Sequence, residues 1–179
     1  AVAWLATLVG VLVVGVESGV ILGVAISLGS LIWRASRPHI AVLGRIAGSE
    51  HFRNIKRHNA QTHAQIVMLR IDSGMFFGNA ELINDRVLEA LQAETQHVVL
   101  VLSAVNLIDT SALYSLAELN RNLLSRAIKL HLAEVKGPLM DRLQHSDLLL
   151  KPLSGQVFLS AAVALDSLSS QLSHVSANS

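Results

Sequence analysis

The first 33 residues constrain everything that follows. They form an almost unbroken apolar run in which residues 1–32 carry a single charged side chain, Glu17. As one helix the run would measure about 50 Å, against a bilayer hydrocarbon core of about 30 Å. A break is needed, and Gly15-Val16-Glu17-Ser18-Gly19 supplies one, because glycines make a turn cheap and let a carboxylate find water or backbone donors. The run therefore predicts a short transmembrane hairpin, with helices over about 2–15 and 18–33, each about 21–24 Å long. Helices this short are tolerated at membrane depth only when packed on other protein. The chain is accordingly expected to be the C-terminal part of something longer, with a preceding membrane domain as its partner. A secretory leader fits poorly, since no basic segment precedes the run and a leader's apolar core has only about 7–15 residues.

Spacing of four places Gly19, Gly23 and Ser27 on one face of the second helix, the small-residue pattern through which membrane helices pack closely. Glu17 has two readings. An intramembrane carboxylate is a candidate proton or ion ligand. A carboxylate between glycines is also a turn residue that accepts backbone hydrogen bonds, and the setting favours the turn. Beyond the run come Arg34 and Arg37, then Arg45, Arg53, Lys56 and Arg57. Positive charge within about 15–20 residues of a membrane end marks the cytoplasmic side. Trp33, Arg34 and Arg37 are therefore expected to anchor the helix end at the interface with the lipid bilayer, with Trp4 serving the other helix. The rest of the chain is expected in the cytoplasm.

Pro38 ends the membrane segment, because the residue before a proline is driven out of helical geometry; residues 34–39 form a junction. From residue 40 strands and helices alternate. Strands are expected over 40–46, 66–72, 97–103, 129–135 and 157–159. The third is a continuous apolar run, as in a central strand covered on both faces. Residues 48–65 read as a polar connector whose basic groups are placed to touch lipid headgroups, and 73–78 as a turn around Met75, Phe76 and Phe77. Asn79 is a candidate cap for a helix over about 80–94, with Leu82, Ile83, Val87, Leu88 and Leu91 inward and Glu81, Asp85, Arg86 and Glu89 outward. A second helix opens at Asp109 and runs to about Arg126, burying Leu113, Leu116, Ala117, Leu119, Leu123 and Leu124. Gly137-Pro138 starts a short helix with Leu139, Met140 and Leu143 inward. Residues 160–172 form the last helix, with Ser160 as cap, and 173–179 a frayed polar tail. The result is an α/β domain over residues 40–172, a mixed sheet of about four to five strands with helices packed on it.

The 179 residues carry a net charge of +1, so nucleic acid, which calls for a clustered basic face, is not an expected partner. Cysteine is absent, which excludes disulfides, thiol catalysis and cysteine zinc sites and fits a reducing compartment. His51, His58 and His63 match no standard metal-ligand spacing. Glu134 and Asp141 read as solvated charges, and no phosphate loop or nucleophile–base order occurs. No catalytic residue, metal or cofactor is expected. The sharpest local feature is Asp109-Thr110-Ser111, where a buried strand hands over to a helix N-terminus. Backbone donors and the helix dipole favour an anion there, and a hydroxyl at that point is able to carry a phosphate of about −1.5 to −2 charge. Capping by any of the three residues explains the same pattern, and the spacing favours it.

Several ordered motifs resemble one family. Arg34-Ala35-Ser36-Arg37-Pro38-His39-Ile40-Ala41-Val42-Leu43-Gly44-Arg45 is similar to the exit from the last membrane helix of the sulfate permease (SulP) family. Gly48-Ser49-Glu50-His51-Phe52-Arg53-Asn54-Ile55-Lys56-Arg57-His58, Phe76-Phe77-Gly78-Asn79-Ala80, Leu107-Ile108-Asp109-Thr110-Ser111-Ala112 and Glu134-Val135-Lys136-Gly137-Pro138-Leu139-Met140-Asp141-Arg142-Leu143 continue the match. The resemblance implies that residues 1–33 are the last two membrane helices of an inverted-repeat anion transporter, and that residues 40–172 are its cytoplasmic STAS domain. It implies a homodimer in a membrane, the bacterial inner membrane being expected, and transport of sulfate, bicarbonate, chloride or a dicarboxylate. It implies assembly and regulatory roles for the domain, with a cytoplasmic regulatory protein as a partner. In the anti-sigma-factor-antagonist branch a Ser after the loop Asp is phosphorylated; the matching positions here are Thr110 and Ser111, and Ala112 stands where antagonists usually carry Gly. The alternative reading is a stand-alone membrane-tethered STAS module that binds a signalling protein through residues 109–111.

Overall fold

The computed structural model describes residues 4–5, 8–9, 11, 15–55, 60–146 and 153–177, with side chains of the last helix as far as Ser173. The chain divides into two units, Ala1–Arg37 and Pro38–Ser179. In the first unit, helix α1 (Val16–Ala35) is 20 residues long, or about 30 Å, and is long and apolar enough to cross a membrane. The expected first helix over 2–15 is described only at Trp4, Leu5, Leu8, Val9 and Val11, all helical. Gly15, at φ 103° in backbone space open to glycine, precedes α1, which starts at Val16. Glu17 consequently lies not in a turn but in the first turn of α1, exposed, where a carboxylate complements the helix dipole. Gly19 and Gly23 are the buried residues of α1, and a Cβ on Gly19 would strike the backbone of Val11. The close-packing face is thus present at Gly19 and Gly23, while Ser27 is exposed.

The second unit is an α/β domain. Its elements are β1 (Ile40–Arg45), β2 (Phe52–Asn54), β3 (Ile66–Ile71), α2 (Ala80–Glu89), β4 (His97–Val101), α3 (Thr110–Ser125), β5 (Lys129–Ala133), α4 (Gly137–His145), β6 (Val157–Phe158) and α5 (Ala161–Ala177). They build a mixed six-stranded sheet in the order β2-β1-β3-β4-β5-β6. β1 runs antiparallel to β2 and β3, and β3, β4, β5 and β6 are mutually parallel. The expectation of four to five strands falls short by β2, three residues inside the polar connector that hydrogen-bond along β1 with Arg53 opposite Gly44. A Cβ on Gly44 would lie 2.9 Å from both the Ala60 Cβ and the Gln61 carbonyl, so glycine lets the connector fold back across β1. Lys56, Arg57 and His58 lie outside the described residues.

Alternation along the strands sorts the core onto two faces. Val67, Leu69, Ile71, Val98, Leu100, Leu102, Leu130 and Leu132 pack beneath α2, α3 and α4. Met68, Val99, Val101, Ala133 and Phe158 pack beneath α5, through Ala161, Ala164, Leu168 and Leu172. Several helix boundaries differ from expectation for local reasons. α2 stops at Glu89 because Thr95 Oγ1 accepts from the Gln92 N–H at 2.9 Å and closes a turn. Asn79 precedes α2 without capping it; its side chain accepts from the Phe76 N–H at 3.0 Å and donates to the Gly74 carbonyl at 2.9 Å, closing the preceding loop. Leu124 is exposed, and Asn120 takes a buried place on α3 instead. α5 continues through residues 173–177, where the sequence predicts a polar tail. Its start is held by Ser160, whose Oγ accepts from the Val163 N–H, and by Glu134, whose carboxylate accepts from the Ala161 N–H at 3.1 Å. Glu134 is therefore a helix cap rather than a solvated charge.

The segment entering β6 is laced to α3 and β5. Asn120 Oδ1 accepts from the Ser154 N–H and Oγ–H, and Ser154 Oγ accepts from the Leu130 N–H. A Cβ on Gly155 would run into the Leu130 carbonyl and the His131 ring. Gly155→Ala should therefore destabilise the domain by about 1–3 kcal/mol, the usual cost of overpacking. Thermal unfolding followed by circular dichroism checks this, and an unchanged midpoint would show that the segment is free to retreat.

Candidate functional site

The loop after β4 meets the loop after β3 through Asp109. Its Oδ1 accepts from the Ala112 N–H at 2.8 Å, capping α3, and its Oδ2 accepts from the Phe77 N–H at 2.9 Å. The Asp109 N–H donates to the Met75 carbonyl, and the Met75 N–H to the Leu107 carbonyl, so the two loops pair as a short parallel bridge. Met75 and Ile108, buried at this crossing, plug the end of the core. Of the two readings of residues 109–111, capping is the one the geometry realises, with a tie between loops added to it. Thr110 and Ser111 occupy the first positions of α3 and are exposed. Around them stand apolar side chains left in solvent: Phe77, 74% exposed, Leu107, 54%, and Tyr114, 57%. Nearby, Lys136 Nζ donates to Asn106 Oδ1 at 2.6 Å. In the sequence Phe77 reads as part of the 73–78 turn and Leu107 as part of the connection after the 97–103 strand, and both stand in the family-like motifs.

Two polar clusters lie apart from this loop. At the end of β3, Asp72 receives Arg70 Nε at 2.6 Å on Oδ1 and Nη2 at 3.2 Å on Oδ2, and His39 Nδ1 lies 2.7 Å from Oδ2. Burial alone would push the Asp72 carboxyl up, but hydrogen bonds from Arg70 and His39, with their charges, hold it below the ordinary carboxylate value. The same hydrogen bond raises Arg70 against its own desolvation. At the other end of the parallel strands, buried His97 and His131 face each other, Nδ1 to Nε2, at 3.0 Å. His131 Nδ1 accepts the Gln156 N–H at 3.0 Å, and its ring lies 5.6 Å from that of Phe158. Burial, with the charges of His97 and Lys129, pushes His131 down to about 4 from an ordinary 6.5. Burial lowers His97 too, helped by Lys129 and His63. Sequence reasoning missed this pair; its signal is a single imidazole in each of two apolar strands, on the face that alternation assigns to α5.

In the first unit, the Arg37 guanidinium sits 4.0 Å from the centre of the Trp33 ring, a cation–π contact. Arg34 ends α1, where a cation complements the helix dipole. Both residues and Trp33 are exposed. Among the described residues no group of three or more acidic or histidine side chains is placed to hold a metal; His58 lies outside them.

A six-stranded mixed sheet with helices on both faces, its two C-terminal loops tied by one aspartate, defines a class, and comparison with known proteins agrees on which. The STAS domain model matches residues 57–164, and the chain belongs to the STAS domain family. Its resemblance to the sulfate permeases holds across both units. Sulfate transporter 1.3 of Arabidopsis thaliana is 31% identical over 184 residues, covering 96% of this chain and 28% of its own length. Chloroplastic sulfate transporter 4.1 of the same plant is 39% identical over 140 residues, covering 71% of this chain and 20% of its own length. The chain thus spans under a third of the curated relatives it matches. Among solved structures, the murine solute carrier 26 family member A9 anion transporter in the inward-facing state superposes with a TM-score of 0.82 at 20% identity, over 93% of this chain and 28% of that one. The SulP transporter STAS domain of Vibrio cholerae superposes with a TM-score of 0.53 at 17% identity, over 67% of this chain and 93% of that one. These similar proteins are transporters and STAS domains rather than enzymes.

Asp109→Ala should cost about 1–3 kcal/mol, because it removes a cap and leaves the Phe77 N–H without its acceptor. Urea unfolding measures the loss, and wild-type stability would place the cap elsewhere. The histidine pair predicts a pH dependence. A folded-state pKa lowered below 6.5 means the unfolded chain binds more protons, so its contribution is complete above about 6.5 and is lost as pH falls towards about 4. The thermal midpoint should drop across that window, and a flat profile would show that the pair titrates alike in both states.

Proposed function

We propose that the chain forms the last membrane helices and the cytoplasmic STAS domain of a secondary transporter for inorganic anions, sulfate first among them. The observation that carries this reading is that similarity to sulfate transporters covers 96% of the chain, so the apolar segment and the STAS domain occur together in the relatives as they do here. In this reading α1 is integral to the membrane, the inner one in a bacterium, and Trp33, Arg34 and Arg37 anchor its end at the cytoplasmic interface. The missing partners are the preceding membrane domain and a second copy of the protein. Bicarbonate, chloride or a dicarboxylate are the other anions to be weighed, because no residue of this chain selects among them.

The domain's share in the proposal is assembly and regulation. Exposed Phe77, Leu107 and Tyr114 around Thr110 and Ser111 favour an apolar contact with a regulatory protein at the Asp109 loop. Residues 36–39 alone separate α1 from β1 in sequence, too few for a slack tether. In the complete transporter, uptake of labelled sulfate by cells lacking their own sulfate carriers tests the reading, with excess bicarbonate, chloride and dicarboxylate as competitors. Uptake that none of these anions supports would overturn it. A flexible Gly-Ser spacer after Pro38 should reduce uptake or assembly, and full activity with the spacer would remove the proposed coupling.

A further inference from the structure

We propose that the foot of the parallel sheet, on the side away from the Asp109 loop, is a binding site for a small oxyanion. A cavity of about 200 Å³ opens there, lined by Gln96, His97, Ala127, Lys129, Gln171 and Leu172. No carboxylate lines it. Lys129 makes no ion pair among the described residues, and its ammonium offers three donors.

The decisive feature is the direction of a proton, which the backbone dictates. The Gln156 N–H is only a donor, so His131 Nδ1, 3.0 Å away, must present its lone pair. Neutral His131 then carries its proton on Nε2 and donates it to His97 Nδ1 at 3.0 Å. That occupies the lone pair of His97 Nδ1 and leaves the His97 proton on Nε2. His97 is 8% exposed and lines the cavity, and among the described residues its Nε2 has no hydrogen-bond partner. An N–H donor whose direction is fixed and which opens onto the cavity, beside an ammonium without an ion pair among the described residues and the amides of two glutamines, matches an acceptor-only, negatively charged ligand. It does not match a metal ion, which needs a lone pair on the nitrogen that here holds the proton. The relay is held in place by the lacing around Ser154 and Gly155, so the donor is pre-oriented before any ligand arrives.

The full chain in detergent micelles, labelled with 15N at histidine, provides the test. Sodium sulfate, phosphate and acetate are titrated separately at neutral pH and constant ionic strength, and the His97 Nε2 resonance is followed. A saturable shift with sulfate or phosphate identifies a tetrahedral oxyanion, and one with acetate a carboxylate. Either supports the site provided that Lys129→Met, an exposed substitution that spares the core, weakens it about tenfold, as expected for one charge-assisted hydrogen bond. No saturable shift with any of the three overturns the proposal, as does a shift that survives both Lys129→Met and Gln171→Leu. Zinc binding at His97 Nε2 would also overturn it, because the relay would then run the other way. None of these outcomes depends on whether the complete protein transports sulfate.

Discussion

The structure depends on one strand being dry on both sides. β4 pairs in parallel with β3 and β5, and all five of its residues are buried. A parallel strand in that position has no face to give to water, so helices must cover both sides of the sheet. The chain meets the demand unequally. α2, α3 and α4 cover one face with leucine, isoleucine and valine, while α5 covers the other largely with alanine and leucine. Small residues let α5 lie close to the sheet. Its contribution rests on good placement, which is why its N-terminus is fastened twice, by Ser160 and by Glu134 from the end of β5.

The loops that close the parallel strands are organised by polar side chains bonding to backbone outside their own turn. Asn79 closes the loop after β3, Asp109 ties that loop to the one after β4, and Asn120 fixes the approach to β6. Each is buried or half-buried, where an unpaired backbone group would be costly. These ties free the outer surface from structural work. Thr110, Ser111, Phe77, Leu107 and Tyr114 are presented on a frame that does not depend on them, as a surface proposed for contact with a regulator requires.

What was legible in the sequence follows from which forces act locally. The apolar run, the proline stop, strands β1, β3, β4, β5 and β6 and the capped start of α3 are written in composition, periodicity and spacing, and all stand near where they were expected. β2 was not legible because three residues of polar connector become a strand only through pairing with β1. Asn79 reads as a cap because a cap is the local use of asparagine before a helix; the Gly74–Phe76 loop that recruits it is a longer-range event. Leu124 fits the helical stripe, yet the stripe alone does not reveal where the sheet beneath α3 ends. The histidine pair was hidden for the same reason: 34 residues separate two imidazoles that only the β4–β5 register brings together. The resemblance to sulfate permeases pointed to the Asp109 loop and was silent about this pair.

The occupied N-terminus of α3 bears on how the loop works. A free helix N-terminus attracts anions through its unpaired N–H groups and its dipole. Here the Asp109 carboxylate already takes the Ala112 N–H with one oxygen and the Phe77 N–H with the other. A phosphate on Thr110 or Ser111 would therefore meet a fixed negative charge one or two residues away, in place of an empty anion site. Its effect would be repulsive, loosening the tie between the loops or discouraging an acidic partner, where in an uncapped loop it would be ordering. The exposed rings around the hydroxyls act by a different means, through apolar area. If the proposed regulator docks here, contact with Phe77, Leu107 and Tyr114 supplies the attraction, and charge at Thr110 or Ser111 opposes it.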